Sequence, residues 1–267
     1  MSITFDNASN GTTIGSGTNI SWSETVGSIT NGILIVLAVA TVTISGVTLN
    51  SSVNLLQFGS TLMITGGQQG SLWYLLNPPS GLNTMKISTG STGGIAGAGV
   101  SFANVAQSGT FGTLATNFGT STAPSNIVAT TSLSQVVIDC IFDQSSSSEA
   151  ATTGQTIRAN NGWDLDIGSI AATGSNMTLG WTVSTSSNWG EMSVALNPFV
   201  PASPLYAPLV VPGAVVGPSI WQGPPGLKYP SKMGPVIRRA NGIFRGGGGL
   251  MGKNILRRNA WQRLFNR

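Results

Sequence analysis

The chain contains no histidine and a single cysteine, Cys140, and only 7 % of its 267 residues are charged. Each shortage removes a class of chemistry. Without histidine there is no Ser-His-Asp or Cys-His catalysis, no imidazole metal ligand and no side chain of ordinary pKa near neutrality to serve as a general base. One cysteine forms neither an internal disulfide nor a cysteine-based zinc site. Ordinary globular domains are about 25 % charged, so this surface has to be covered by Ser, Thr, Asn, Gln and Gly. Such a composition suits stacked β-strands and a protein largely covered by neighbours. Long apolar runs are missing as well. The longest, Ile33 to Ala40, has eight residues, whereas a helix crossing a bilayer needs about 20; a buried strand is expected there and no membrane segment. MSITFDNASN at the start has no basic stretch leading into an apolar one, so no secretory leader is expected.

Acidic residues are absent from one region entirely. All eight lie before Pro198, together with only two basic residues, which gives residues 1–197 a formal charge of −6. Residues 198–267 carry ten basic groups and a formal charge of +10: Lys228, Lys232, Arg238, Arg239, Arg245, Lys253, Arg257, Arg258, Arg263 and Arg267. The overall +4 conceals a body expected to repel anions and an arm that seeks them. Ten of the thirteen prolines lie between Pro198 and Pro235. Proline at that spacing excludes helix and central strand, so an extended arm is expected over 198–235. A basic, Gly-rich tail follows over 236–267, with a short helix at 254–266 in which Leu256, Ala260 and Leu264 recur every four residues beside Trp261 and Phe265.

What is present in residues 1–197 is β-signal throughout: short β-branched and aromatic runs separated by Gly, Ser, Asn and Pro. The runs predict strands at 19–23, 33–40, 41–49, 61–65, 72–76, 84–88, 100–105, 126–131, 135–142, 155–159, 177–184 and 191–196. The Gly-rich segment Thr89 to Gly99 and the Ser-rich Ser145 to Ser148 read as surface connections. In QVVIDCIFD, Val136, Ile138, Cys140 and Phe142 share one strand face, expected to be core, and Val137, Asp139, Ile141 and Asp143 share the other. Trp73 and Leu75 likewise oppose Leu72, Tyr74 and Leu76. Pro78-Pro79 ends that strand, and Asn83 to Ser88 is expected to return as its hairpin partner, with Met85 and Ile87 on one face. About a dozen strands without a fixed repeat predict an all-β, two-sheet sandwich.

The segments LWYLLNPPSGLNTMKIS (Leu72 to Ser88), VSFANVAQSGTFG (Val100 to Gly112) and MTLGWTVSTSSNWGEMSVALNP (Met177 to Pro198) resemble a lectin-type jelly-roll domain of bacteriophage virion proteins and some bacterial surface proteins. The resemblance spans the second two-thirds of the body and none of the arm. It implies a jelly-roll sandwich in a virion setting and names no chemistry.

Candidate reactive groups are few. Asp139 with Asp143, and Asp164 with Asp166, sit at alternate positions and so pair on one strand face, as a carboxylate-pair hydrolase requires. The preferred alternative is carboxylates fixed by hydroxyl and amide hydrogen bonds, or solvated. WDLDIG resembles a calcium loop yet lacks the ligand count and closing glutamate. TGSTGGIAGAG has neither the lysine nor the helix of a phosphate loop. Of the seven tryptophans, Trp73 and Trp181 fall within predicted strands and are expected to be packed, whereas Trp163 and Trp189 fall in predicted loops and are the candidates for stacking on a glycan. In the arm, apolar residues interleave with the charges. That pattern suits protein grooves better than a phosphate backbone, so protein subunits are the preferred partner and nucleic acid the second. The combined expectation is a non-enzymatic virion structural protein, needing no cofactor and assembled in the host cytoplasm. It would decorate or cement a capsid as a homo-oligomer, such as a trimer, with its arm anchored on neighbouring shell subunits. A carbohydrate-binding tail-fibre or baseplate module is the alternative, and a nucleic-acid-binding virion protein the third reading.

Overall fold

The computed structural model describes residues 1–144, 149–152, 154–161 and 165–202, together with the short strands at 237–239 and 242–244. Among these residues there is no helix, and every paired strand is antiparallel. The chain divides into two units, Met1–Leu205 and Tyr206–Arg267.

The first unit begins with β1 (Thr4–Asn10), β2 (Ile14–Val26), β3 (Ile33–Ala40), β4 (Ile44–Leu49), β5 (Val53–Asn54), β6 (Leu56–Met63), β7 (Gln69–Leu76) and β8 (Gly81–Ala103). These eight form one sheet in the order β5-β4-β8-β3-β7-β6, with β1 and β2 also paired to β8. Next come β9 (Ala115–Ser121), β10 (Ser125–Val128), β11 (Val136–Asp143), β12 (Glu149–Ala151), β13 (Thr156–Asn160), β14 (Leu165–Ala171), β15 (Met177–Val183) and β16 (Ser187–Leu196). They build a five-stranded sheet, β13-β14-β11-β16-β9, and a three-stranded one, β10-β15-β12. In the second unit β17 (Ile237–Arg239) and β18 (Gly242–Phe244) form a small hairpin with Ile237 opposite Phe244.

Packing stacks these sheets in layers. The largest core cluster joins Ile33, Ile35, Leu37 and Val39 of β3 to Ile138, Cys140 and Phe142 of β11 and Met192 and Val194 of β16, and so lies between the eight- and five-stranded sheets. Residues of the opposite parity on β3, Leu34, Val36 and Ala38, pack with Ile20 and Trp22 of β2, Val47 and Leu49 of β4, and Met85 and Ile87 of β8. The first half of β8, which pairs with β2 and β4, is therefore folded over the back of β3. This double coverage is why ILIVLAVA is apolar without alternation: all eight of its residues are buried. On the far side, Leu179 and Met177 of β15 and Val128 of β10 cover Val137 and Ala195 of the five-stranded sheet, while Trp181 and Val183 cover Ile141.

Several sequence expectations meet this architecture directly. The strand at 33–40 has those bounds, Trp73 and Leu75 face one core while Leu72, Tyr74 and Leu76 face the other, and Met85 and Ile87 are fully buried together. Others are corrected. The segment from Thr89 to Gly99 is no surface connection but the middle of the 23-residue β8. Its glycines admit close neighbours: a Cβ at Gly97 would lie 3.2 Å from the Trp22 ring, and one at Gly93 2.7 Å from Val42. Nor do Leu72 to Leu76 and Asn83 to Ser88 form a hairpin, because β7 pairs with β3 and β6 whereas β8 starts against Val26 of β2. Asn77 (φ 48°) and Gly81 (φ 99°) turn the chain out of one layer into the next. The second face of β11 is as buried as the first, because the three-stranded sheet lies over it. The Ser145 to Ser148 connection, nearly all of the 198–235 arm and the 254–266 helix lie outside the described residues.

Candidate functional site

The buried second face of β11 gathers most of the body's acid. Strand register puts Ile141 opposite Asp166 on β14 and opposite Glu191 on β16, and Asp139 opposite Gly168 and Ser193. Asp139 and Asp143 lie two residues either side of Ile141, so the four carboxyls surround that one apolar side chain. Glu149 of β12 joins from the covering sheet. Asp139, Asp143, Asp166 and Glu191 are completely buried, and Glu149 nearly so.

The carboxyls are not equally supplied with donors. Asp139 accepts from Ser193 Oγ at 2.7 Å and from the Trp181 indole Nε1 at 2.8 Å, and Asn126 Nδ2 donates in turn to Ser193 Oγ at 3.1 Å. Asp143 accepts from Ser187 Oγ at 3.0 Å, and Asp166 accepts from Asn160 Nδ2 at 3.2 Å on one oxygen. Neither oxygen of Glu191 and not the second oxygen of Asp166 has a donor. An ionised carboxylate without donors is costly to bury, which favours the protonated form, of Glu191 above all. Burial accordingly pushes Glu191 up to about 10, with the Asp139 charge adding to it. Burial raises Asp139 only to about 6, because hydrogen bonds from Ser193, Glu191 and Trp181 favour its charged form. Asp166 rises to about 7, again by burial, and its bond with Glu149 partly offsets the rise.

A separate carboxyl, Glu24, sits where β1, β2 and β8 meet. Ser9 Oγ donates to it, Trp22 Nε1 donates to Ser9 Oγ at 2.8 Å, and Gly99 leaves the space it occupies. Burial pushes it up to about 7.

None of this is the geometry of a hydrolase. The Asp139 and Asp143 carboxyls share a face, as their spacing predicts, but that face is closed by Trp181, Val183 and Leu179 and bound by hydroxyl, amide and indole donors. Asp164 lies outside the described residues. Among the described residues no group of three or more Asp, Glu or Cys side chains is arranged to hold a metal ion. Trp189, expected in an exposed loop, is instead in β16 and buried, donating Nε1 to Ser121 Oγ at 3.0 Å with its ring against Gly119. It presents no face to a sugar. Trp163 lies outside the described residues. Of the arm residues, Arg238 and Arg239 belong to β17, opposite Ile243 and Gly242. Lys228, Lys232, Arg245, Lys253, Arg257, Arg258, Trp261, Arg263, Phe265 and Arg267 lie outside the description.

The placement of charge is what sequence reasoning missed. Of the seven described acids of the body, six are buried. The seventh, Asp6, is half-buried and accepts from the Gly27 amide and Ser101 Oγ. Arg158 is half-buried over the Phe5 ring, 4.3 Å from its centroid, and donates to Ser169 Oγ; Lys86 is half-buried on β8. No described Asp, Glu, Lys or Arg side chain of the body is fully exposed. The described part of the −6 is therefore largely interior, where burial favours the protonated form of Glu24, Asp139, Asp166 and Glu191. The outer surface carries apolar side chains instead, among them Leu56, Met63, Leu82, Phe118, Ile127 and Leu133. No protein-family model, curated protein or solved structure matches the chain.

Proposed function

We propose that the chain is a non-enzymatic structural protein of a virus particle, of bacteriophage type. Its jelly-roll body packs among neighbours at the capsid, and its basic arm fastens it there in the manner of a decoration or cement protein. The observation that carries this reading is the uncharged described surface of the body. A free monomer relies on surface charge of both signs for solubility, whereas a subunit surrounded by others has its polar, hydroxyl-rich and apolar exterior covered. Burial of the carboxyls and the lack of histidine fit a structural role, and assembly with further copies, as in a trimer, would cover the exposed apolar side chains.

The charge placement also narrows the arm's partner. Ten positive charges in residues 198–267 meet no acidic face on the described body, which favours counter-charges on a different shell protein or on nucleic acid over those of a second copy. Apolar residues between the charges favour the protein. The test is truncation after Leu205: particles produced with the truncated chain should lose it on purification, whereas the full chain is retained. Equal retention of both would sink the fastening role. Equal retention accompanied by a steep, salt-dependent affinity of the full chain for DNA would replace it with nucleic-acid binding. Glycan binding would have to rest on Trp163 or on other side chains, since Trp189 is enclosed.

A further inference from the structure

Sheet edges are where a neighbour can pair with an all-β body, and folds blunt them with breaks in register, charges or cover. In the first unit β1, β2, β6 and β13 each carry a break in register, and β5, β10 and β12 have four residues or fewer. β9 is the exception. It pairs with β16 alone, in unbroken register over all seven residues, ATNFGTS, which include neither a charge nor a proline. Which of its backbone groups look outward follows from β16. Gln144 N donates to the Asn188 carbonyl from the β11 side and Gly112 N to the Ala195 carbonyl from the β9 side, so the odd-numbered residues of β16 address β9. Their ladder partners Ala115, Asn117, Gly119 and Ser121 turn inward, which leaves the backbone N–H and C=O groups of Thr116, Phe118 and Thr120 turned outward. Among the described residues no strand meets them. Asn117 Oδ1 instead accepts from Phe118 N at 3.0 Å, in the place of a strand carbonyl. The Phe118 side chain is 59 % exposed.

β9 is the middle layer of a side three strands deep. Against it from the eight-stranded sheet comes β6: Phe58 stacks on Phe111 at 4.2 Å, just before β9, and Leu114 fills the space beside Gly59. From the three-stranded sheet comes β10, with Ala115 packed on the cluster of Val128 and Asn117 Nδ2 donating to the Ser125 carbonyl at 2.7 Å. None of the three strands carries a charged residue, and Leu56 and Met63 of β6 and Ile127 of β10 are exposed. We propose that this side is the contact with a second copy of the chain, in which two β9 strands pair antiparallel about a two-fold axis at Phe118 and join two five-stranded sheets into one of ten. Phe118 then lies opposite its counterpart and Thr116 opposite Thr120, pairs of the kind that stabilise antiparallel ladders. A charged partner meets no counter-charge here, whereas a second copy brings the same uncharged strand. Seven residues of strand are about 24 Å long, and three layers spaced about 10 Å apart make a face about 30 Å deep. Such a face buries about 700 Å² from each copy, or about 1,400 Å² in all, within the range of specific interfaces. The contact gives a surface to the assembly of copies proposed above and rests on that reading. Its test uses the purified chain without particles, so it can fail while fastening by the arm stands.

Sedimentation equilibrium of the full chain, with Phe118→Lys and Phe118→Glu, tests it. The wild type should form a dimer, and each variant should associate at least about tenfold more weakly, because two like charges then face each other across the axis. Mixing the two variants should restore the dimer, since position 118 of one copy meets position 118 of the other. A wild type that stays monomeric at its highest soluble concentration overturns the proposal, as does a dimer that both variants form as readily. A mixture that associates no more tightly than either variant refutes the two-fold pairing. Should the variants fail to fold, hydrogen exchange of the wild type decides: the amides of Thr116, Phe118 and Thr120 should become protected as concentration rises. Their exchange at an unchanged rate refutes the contact, and their protection in a monomeric chain overturns it in favour of the chain's own arm on that edge.

Discussion

Phe142 offers the sharpest test of the packing. Its ring is fully buried between the eight- and five-stranded sheets, directly opposite Gly190 on β16, and it reaches across to Gly70 of β7. A Cβ added at Gly70 would lie 2.7 Å from Phe142 Cδ1 and 2.8 Å from Cζ, and one at Gly190 2.7 Å from Cε1. The two glycines thus form the floor and ceiling of a slot one ring thick. Gly70→Ala inserts a methyl where there is no room, an overpacking expected to cost about 1–3 kcal/mol. Phe142→Leu alone removes part of the ring and should cost about 1–2 kcal/mol, below the 3–5 of a full truncation to alanine. Combined, the changes should offset each other, because the smaller side chain leaves space for the new methyl. The coupling should be about 1–2 kcal/mol in the stabilising direction. Urea midpoints of the two single variants, the double variant and the wild type measure it. Simple additivity, with Gly70→Ala as costly beside Leu as beside Phe, would refute the slot and with it the assigned stacking of the two sheets.

Glu24 should make the body more stable in acid. Its folded pKa, about 7, is raised above the ordinary 4.5, so its contribution is fully present below pH 4.5 and is lost as pH rises through 7. At about 1.4 kcal/mol per pH unit the change is at most roughly 3 kcal/mol, and Glu24→Gln should flatten the urea midpoint over that window. Trp181→Phe removes the indole bond to Asp139, a charge-assisted contact, and should lower stability by about 1.5–3 kcal/mol near neutral pH; an unchanged melting temperature would show the bond to be idle. Asn83, nearly buried, donates to the Pro79 and Gly81 carbonyls and accepts from Asn50. Asn83→Ala should cost about 1–3 kcal/mol and expose residues 77–83 to limited proteolysis.

Where strand faces met two cores, the sequence was a faithful guide. ILIVLAVA was read as a buried strand because no polar residue interrupts it, and the opposed sets Trp73/Leu75 and Leu72/Tyr74/Leu76 do enter different cores. The Gly-rich centre of β8 was illegible for the converse reason. Glycine carries little strand propensity, and what makes TGSTGGIAGAG a strand is its ladder partners on β2 and β3 together with the bulk of Trp22, Ile87 and Val42 leaning onto it. The carboxyl layer was half legible. Alternation placed Asp139 and Asp143 on one face, but a polar face reads as solvated unless the covering sheet is known, and β14, which supplies Asp166, has its apolar residues broken by Gly168 and Ser169 and is not among the predicted strands. Trp189 was misread because Ser, Asn and Gly around it signal a loop, whereas they form the start of β16, where Gly190 makes room for Phe142.

The 23-residue β8 sets an order of events during synthesis. β1 and β2 form backbone ladders with no strand other than β8, and β4 otherwise has only the two-residue β5. Until residues 81–103 leave the ribosome, these strands have no template, and at translation rates of 5–20 residues per second the first of them waits about 5–20 s. Apart from the short β4–β5 pair, only β3, β6 and β7 can associate earlier. During that interval the apolar residues of β2 and β4 are exposed in every nascent copy, so crowding of many copies on one message would favour pairing between chains over pairing within one. A protein made in large numbers for an assembly would therefore depend on how quickly its most glycine-rich strand finds its place.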